Sequence, residues 1–247
     1  ISALKTPISL VESVDNPLPA DGGSGVEPTE QVASRAAGEI KTRRKAVTAS
    51  DFEAVATAAV RKLATVDCQP QLGPEGSQRP GSITLLIVPE TNTDRPMPSM
   101  ALETRVEQAV SEAAPARLLA GENTGLTVRG PDYAPVSVDA TVRTADSTSL
   151  SVLKSELEST LKRYLHPVGG GADGTGWTFG DLPTAADIQS QLRSVAGVEA
   201  VLDLSATVRH GEARRRLTRG SPTPELPVDG LVCSGEHTIT VQVGDRR

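Results

Sequence analysis

Apolar positions recur along this chain with two periods. In some segments they return every three or four residues, the repeat of a helix face. In others they alternate with polar residues, the repeat of a strand with one wet side. The clearest helix follows Thr48-Ala49-Ser50-Asp51, a start in which hydroxyl and carboxylate cap each other's backbone N–H groups. Phe52, Val55, Ala56, Ala59, Val60 and Leu63 then share one face. Another helix runs from about Ser99, with Leu102, Val106, Val110 and Ala113 inward, until Pro115 interrupts it. A third carries Leu150, Leu153, Leu157, Leu161 and Tyr164. A fourth opens at Thr184-Ala185-Ala186-Asp187 and turns Ile188, Leu192 and Val195 inward. An earlier helix is expected from Pro28, with Val32, Ala36 and Ile40 on one side. It ends in Lys41-Thr42-Arg43-Arg44-Lys45, where cations suit the helix dipole.

Strands are expected near 64–69 and 82–88. The second, Ile83-Thr84-Leu85-Leu86-Ile87-Val88, is almost wholly apolar and therefore central, and Pro89 ends it. Val136, Val138, Ala140 and Val142 alternate with Ser137, Asp139, Thr141 and Arg143. Ala200, Leu202, Leu204, Ala206 and Val208 form a similar strand, and Ile239, Val241 and Val243 mark the last. A Gly-rich loop spans 166–180, and 209–229 reads as a polar loop. Thr48-x-x-Asp51 and Thr184-x-x-Asp187 each open a helix that leads into a strand. The pattern predicts an α+β fold of two small modules, each a mixed or antiparallel sheet covered by helices. Residues 1–45 form an extended Pro/Gly-rich connection plus helix, 46–125 the first module and 126–247 the second.

Composition narrows the function. Aromatics are 2% of the 247 residues, so the core is built from Val, Leu, Ile and Ala, which suits thin layers better than a deep catalytic cavity. The net charge of −6 and the scarcity of aromatics argue against a nucleic-acid surface. No segment is apolar for long enough to cross a membrane as a helix. Cys68 and Cys233 cannot make a disulfide scaffold and read as free thiols of a protein made in the cytoplasm. The start Ile1-Ser2-Ala3 carries no Met or signal peptide, and the chain reads as a piece of a longer polypeptide.

Candidate chemistry is sparse. The glycines from Gly169 to Gly176 invite a phosphate-loop reading, but a helix precedes them and no Gly-Lys-Ser/Thr follows, so a surface loop anchored by Trp177 and Phe179 is expected. His166, His210 and His237 lack the spacing of a structural zinc site with Cys68 or Cys233. No Gly-x-Ser-x-Gly elbow is present. Neither a catalytic residue, a metal site nor a cofactor is expected. Basic clusters at 41–45 and 214–219 support an alternative, a nucleic-acid-binding module.

Several blocks, taken in order, carry a resemblance. They are Asn16-Pro17-x-Pro19-Ala20-x-Gly22-Gly23, then Glu27, Arg35 and Thr42-Arg43. Ala46-Val47-Thr48-x-x-Asp51-Phe52-Glu53 and Cys68-x-Pro70 come next. His166-Pro167, Gly170, Asp173-Gly174-x-Gly176-Trp177-x-Phe179-Gly180 and Leu231-Val232-x-Ser234-Gly235-x-His237 complete the set. Together they resemble the C-terminal half of baseplate J-like proteins, wedge components of contractile-tailed phages and phage-tail-like contractile injection systems. Gly169 stands where Thr is common in that family, and Ala172 and Thr178 stand where Pro is common.

The resemblance implies a structural subunit and not an enzyme. Its partners would be other wedge subunits, the central hub and spike, and sheath proteins, in a hetero-oligomeric ring that changes conformation on contraction. No membrane or small-molecule substrate is implied, and the protein would reside in the assembled particle. Arg35, Arg43, Asp51, Trp177 and Phe179 are the interface residues it suggests. For the arginines the alternative is an intrachain ion pair, and for Trp177 and Phe179 a local minicore.

Overall fold

The computed structural model describes residues 29, 45–60, 62–91, 93–119, 125–145, 150–217 and 225–244. The Pro/Gly connection, the helix expected from Pro28 (Thr29 apart), Arg35 and Arg43 lie outside the described residues. The fold is α+β, as the patterning predicts. Two small mixed sheets, of three and four strands, each carry helices.

The first unit begins with α1 (Ala49–Ala59), capped by Thr48 and Asp51 in the reciprocal way the sequence predicts. β1 (Leu63–Leu72) and β2 (Gln78–Pro89) form an antiparallel pair. A crossover through α2 (Met100–Ala113) and the single turn α3 (Ala116–Leu119) returns the chain to β3 (Gly125–Arg129), parallel to β2. β2 is therefore central, and Leu85, Leu86, Ile87 and Val88 are fully buried. Phe52 and Ala56 of α1 and Val106 and Val110 of α2 pack with Leu85, Ile87 and Val128 in one core. Ser99 caps α2 through its hydroxyl, which accepts from the Leu102 N–H.

The second unit comprises β4 (Asp132–Thr144), α4 (Leu150–Tyr164), α5 (Ala185–Ser194), β5 (Ala200–His210), β6 (Ala213–Leu217) and β7 (Gly230–Val243). The spatial order is β6-β5-β4-β7, with β7 parallel to β4 and the other pairs antiparallel. Val136, Val138, Ala140 and Val142 face Leu153, Leu157, Leu161, Ile188 and Leu192 of the two helices. Thr184 and Asp187 form the second capping box. The sheets change over at Gly130-Pro131, between β3 and β4.

Three features depart from the patterning. The polar loop expected over 209–229 contains β6, which Gly211 (φ +56°) turns back onto β5. An edge strand needs a hydrogen-bonded partner more than an apolar face, and Ala213-Arg214-Arg215-Arg216-Leu217 offers no alternation to read. β3 was not expected as a separate strand because it is short. β7 begins well before the alternating Ile239, Val241 and Val243: a register shift opposite Ser137 breaks the period.

Leu157 is fully buried beneath β4, whereas Val152 on the same helix is 64% exposed. Leu157→Ala is expected to cost about 2–5 kcal/mol, and Val152→Ala to stay within about 0.5 kcal/mol. Urea unfolding of the two variants measures both.

Candidate interaction site at the joint between the sheets

Only Gly130 and Pro131 separate β3 from β4, so the two sheets meet around Arg129 and Asp132. The Arg129 guanidinium donates through Nη2 to Asp229 Oδ2 at 2.6 Å, and the two side chains are 18% and 3% exposed. Asp229 lies in the turn that starts β7, so this ion pair ties the last strand of the first sheet to the second. Within the second unit, the Asp132 N–H donates to the Asp229 carbonyl at 2.9 Å, which seats Asp229 beside the start of β4. Gly76 of the β1–β2 turn also abuts the site. Its φ is +77°, and a Cβ there would stand 2.7 Å from Asp229 Oδ2, which leaves room for glycine alone.

Two side chains of the second unit hold the segment between β2 and α2. Tyr133 Oη donates to the Pro96 carbonyl at 2.7 Å. Burial, and then the neighbouring Cys233, push the Tyr133 phenol well above its ordinary range, so it remains a donor. His166 Nδ1 accepts from the Val168 and Gly169 N–H groups at 3.2 and 3.1 Å. Those bonds assign the proton of the neutral ring to Nε2, which donates to the Thr93 carbonyl at 3.2 Å.

The loop 166–180 is held to the second unit by its own bonds. Trp177 Nε1 donates to the Tyr164 carbonyl at 3.0 Å, and the indole meets the Tyr164 ring edge to face at 5.4 Å. The Trp177 N–H reaches the Pro167 carbonyl and the Gly180 N–H reaches the Gly230 carbonyl. Trp177 is half-buried against the helix-covered core, and Phe179 is half-buried in the loop. Asp51 accepts from the Thr48 N–H at 2.9 Å at the start of α1. Asp51 thus sits on the first unit, and Trp177 and Phe179 on the second.

Reactive groups are arranged for structure. Ser234 Oγ lies 2.9 Å from His237 Nε2. His237 Nδ1 accepts from the Val138 N–H at 3.3 Å, so the proton sits on Nε2 and points at the serine. In that tautomer the ring cannot take the serine proton, and among the described residues no carboxylate bonds to Nδ1 to reverse it. Burial, and after it the charge of Lys162, lower His237 to about 4. Burial pushes the Cys68 thiol up to about 12, well away from a reactive thiolate. Cys68 and Cys233 are both free and buried.

Asp132, His210 and Asp229 bring ligating atoms within 4.8 Å of one another. Spacing could not reveal this trio, because its members come from three separate strand ends. The donor set is of a type that can hold a divalent ion. Arg129 already supplies a positive charge to Asp229. A nearby cleft of about 70 Å³ is lined by Leu182, Val208, His210 and Leu226. That is well below the several hundred Å³ of a typical organic-ligand site.

Arg129→Ala leaves the Asp229 carboxylate buried without its counter-charge, and is expected to cost about 3–5 kcal/mol. The paired change Arg129→Leu with Asp229→Asn is expected to cost less, and urea unfolding separates the two. An unfolded His237 titrates near 6.5 and the folded one near 4. Between those values the unfolded chain binds the extra proton, so stability falls as pH drops through that window. His237→Gln is expected to flatten the decline, as measured by melting temperature against pH.

No protein-family model matches this chain, and no curated protein sequence matches it. Its fold has a counterpart among solved structures. A chain from the structure described as "Cryo-EM structure of the anti-feeding prophage (AFP) baseplate, 6-fold symmetrised" superposes with a TM-score of 0.55 and 20% identity. The match covers 96% of this chain and 47% of that one, so this chain spans about half the length of its counterpart. At that identity the likeness is one of fold.

Proposed function

We propose that this chain is a structural part of the baseplate of a contractile injection system or phage tail, corresponding to the C-terminal half of a J-like wedge subunit. The observation that carries the reading is the fold likeness to a baseplate chain over 96% of the sequence. The ordered motif blocks from Asn16 to His237 point the same way independently. The internal architecture suits the role. Each thin sheet is stiffened by two or more helices, and the units are joined by a short backbone link and a buried ion pair. The serine–histidine pair is set for structure.

In this reading the first unit, from α1 to β3, and the second, from β4 to β7, act as two docking bodies. They contact other wedge subunits, the hub and spike, and the sheath, and their neighbours change on contraction. Arg35, Arg43, Asp51, Trp177 and Phe179 are the interface residues of this reading. The nucleic-acid alternative fits less well, because the exposed arginines of β5 and β6 have no aromatic on either strand to stack a base.

The test is to tag the full-length protein in its native cells, isolate what it binds and view it by negative-stain electron microscopy. Sheathed particles that carry the tag at one end and lose their baseplate when the gene is deleted are the expected result. Particles unaffected by deletion would overturn the reading.

A further inference from the structure

The edge strand β6 and its neighbour β5 carry Arg209, Arg214, Arg215 and Arg216, all exposed. Among the described residues, none of the four is paired with a carboxylate. Arg215 donates to the Glu225 backbone carbonyl and Arg216 to Ser205 Oγ. Arg209 and Arg214 stand directly opposite each other across the β5–β6 pair. Like charges in that position destabilise a sheet. Such a cluster is unexpected in a chain whose net charge is −6.

The backbone of the same strand is also open. Gly211, at φ +56°, and Glu212 form a two-residue turn, so His210 and Ala213 are the closing pair of the hairpin. Hydrogen-bonded and non-bonded pairs alternate from there. Arg214 and Arg216 therefore turn their N–H and C=O groups away from β5. No described strand pairs with that outer edge. Charge on an edge deters pairing between like copies. Here the deterrent has one sign, so it repels a second copy of β6 and attracts an extended segment of opposite charge.

We infer that the outer edge of β6 is a docking site for an acidic extended segment of a partner protein, which adds as a fifth strand to the second sheet. Main-chain bonds to Arg214 and Arg216 supply the ladder. Glu or Asp side chains at alternate positions of the incoming strand lie beside the guanidinium groups of Arg209, Arg214 and Arg216 and relieve the like-charge pair. The inference rests on the geometry and charge of this edge and stands apart from the baseplate reading.

Fluorescence anisotropy of the full chain with a labelled peptide of alternating Val and Glu tests it. Three competitors accompany the probe: the same peptide with Pro at two ladder positions, the peptide with Lys for Glu, and a short DNA duplex. Micromolar binding is expected, reduced by about tenfold or more by Arg214→Glu with Arg216→Glu. Arg214→Lys with Arg216→Lys keeps the charge and is expected to bind like the parent, which guards against a folding defect in the reversed variant. The Pro peptide is expected to compete poorly, because it keeps the charge and loses two backbone donors. Absence of binding, or equal competition by the Pro peptide or the duplex, would overturn the proposal.

Discussion

A buried carboxylate must find a cation, and in this fold the requirement organises the meeting of two sheets. Asp229 is almost fully enclosed, and the guanidinium that answers it comes from Arg129, 100 positions earlier. Neither group could be desolvated alone at an acceptable cost. Arg129 ends β3, and Asp229 precedes β7, so satisfying one charge fixes the end of the first sheet against the start of the final strand of the second. The glycine at 76, the Tyr133 hydroxyl and the His166 ring then close around the same joint from different elements.

The joint differs in kind from the cores on either side. The first core is Phe52, Val106 and Val110 on Leu85 and Ile87, and the second is Leu153, Leu157 and Ile188 on β4. Both are apolar and tolerate adjustment of shape. Among the described residues, the contacts between the units include directional hydrogen bonds to the backbone carbonyls of Thr93 and Pro96, together with the Arg129–Asp229 ion pair. Directional bonds fix an angle, whereas apolar layers mainly exclude water.

Much of this architecture was legible in the residues. Helices announced themselves through the caps at Thr48 and Thr184 and through apolar spacing, and β2, β4 and β5 through long apolar or alternating runs. β6 was hidden because three successive arginines carry no period. The bulge opposite Ser137 disguised the first half of β7. The joint was illegible for a different reason. Arg129, Asp132, His210 and Asp229 are ordinary residues in the chain, and only the strand order makes them neighbours. The bonds of His166 to two amides and to Thr93 exist only with the loop in place.

The parallel pairing of β4 with β7 has a consequence for synthesis. Val138 and His237 touch across 99 positions of sequence, and two helices and a hairpin lie between them. The first sheet is complete once β3 has left the ribosome, and its longest strand pairing closes through a single helical crossover. The second sheet cannot complete the pairing of its inner strand until β7 has been made. Until then β4 offers a long, apolar, unpaired edge, the kind of surface that aggregates or recruits chaperones. Assembly of the second unit therefore waits for β7, and a ribosome that stalls before that strand leaves a folded first unit attached to an adhesive second one.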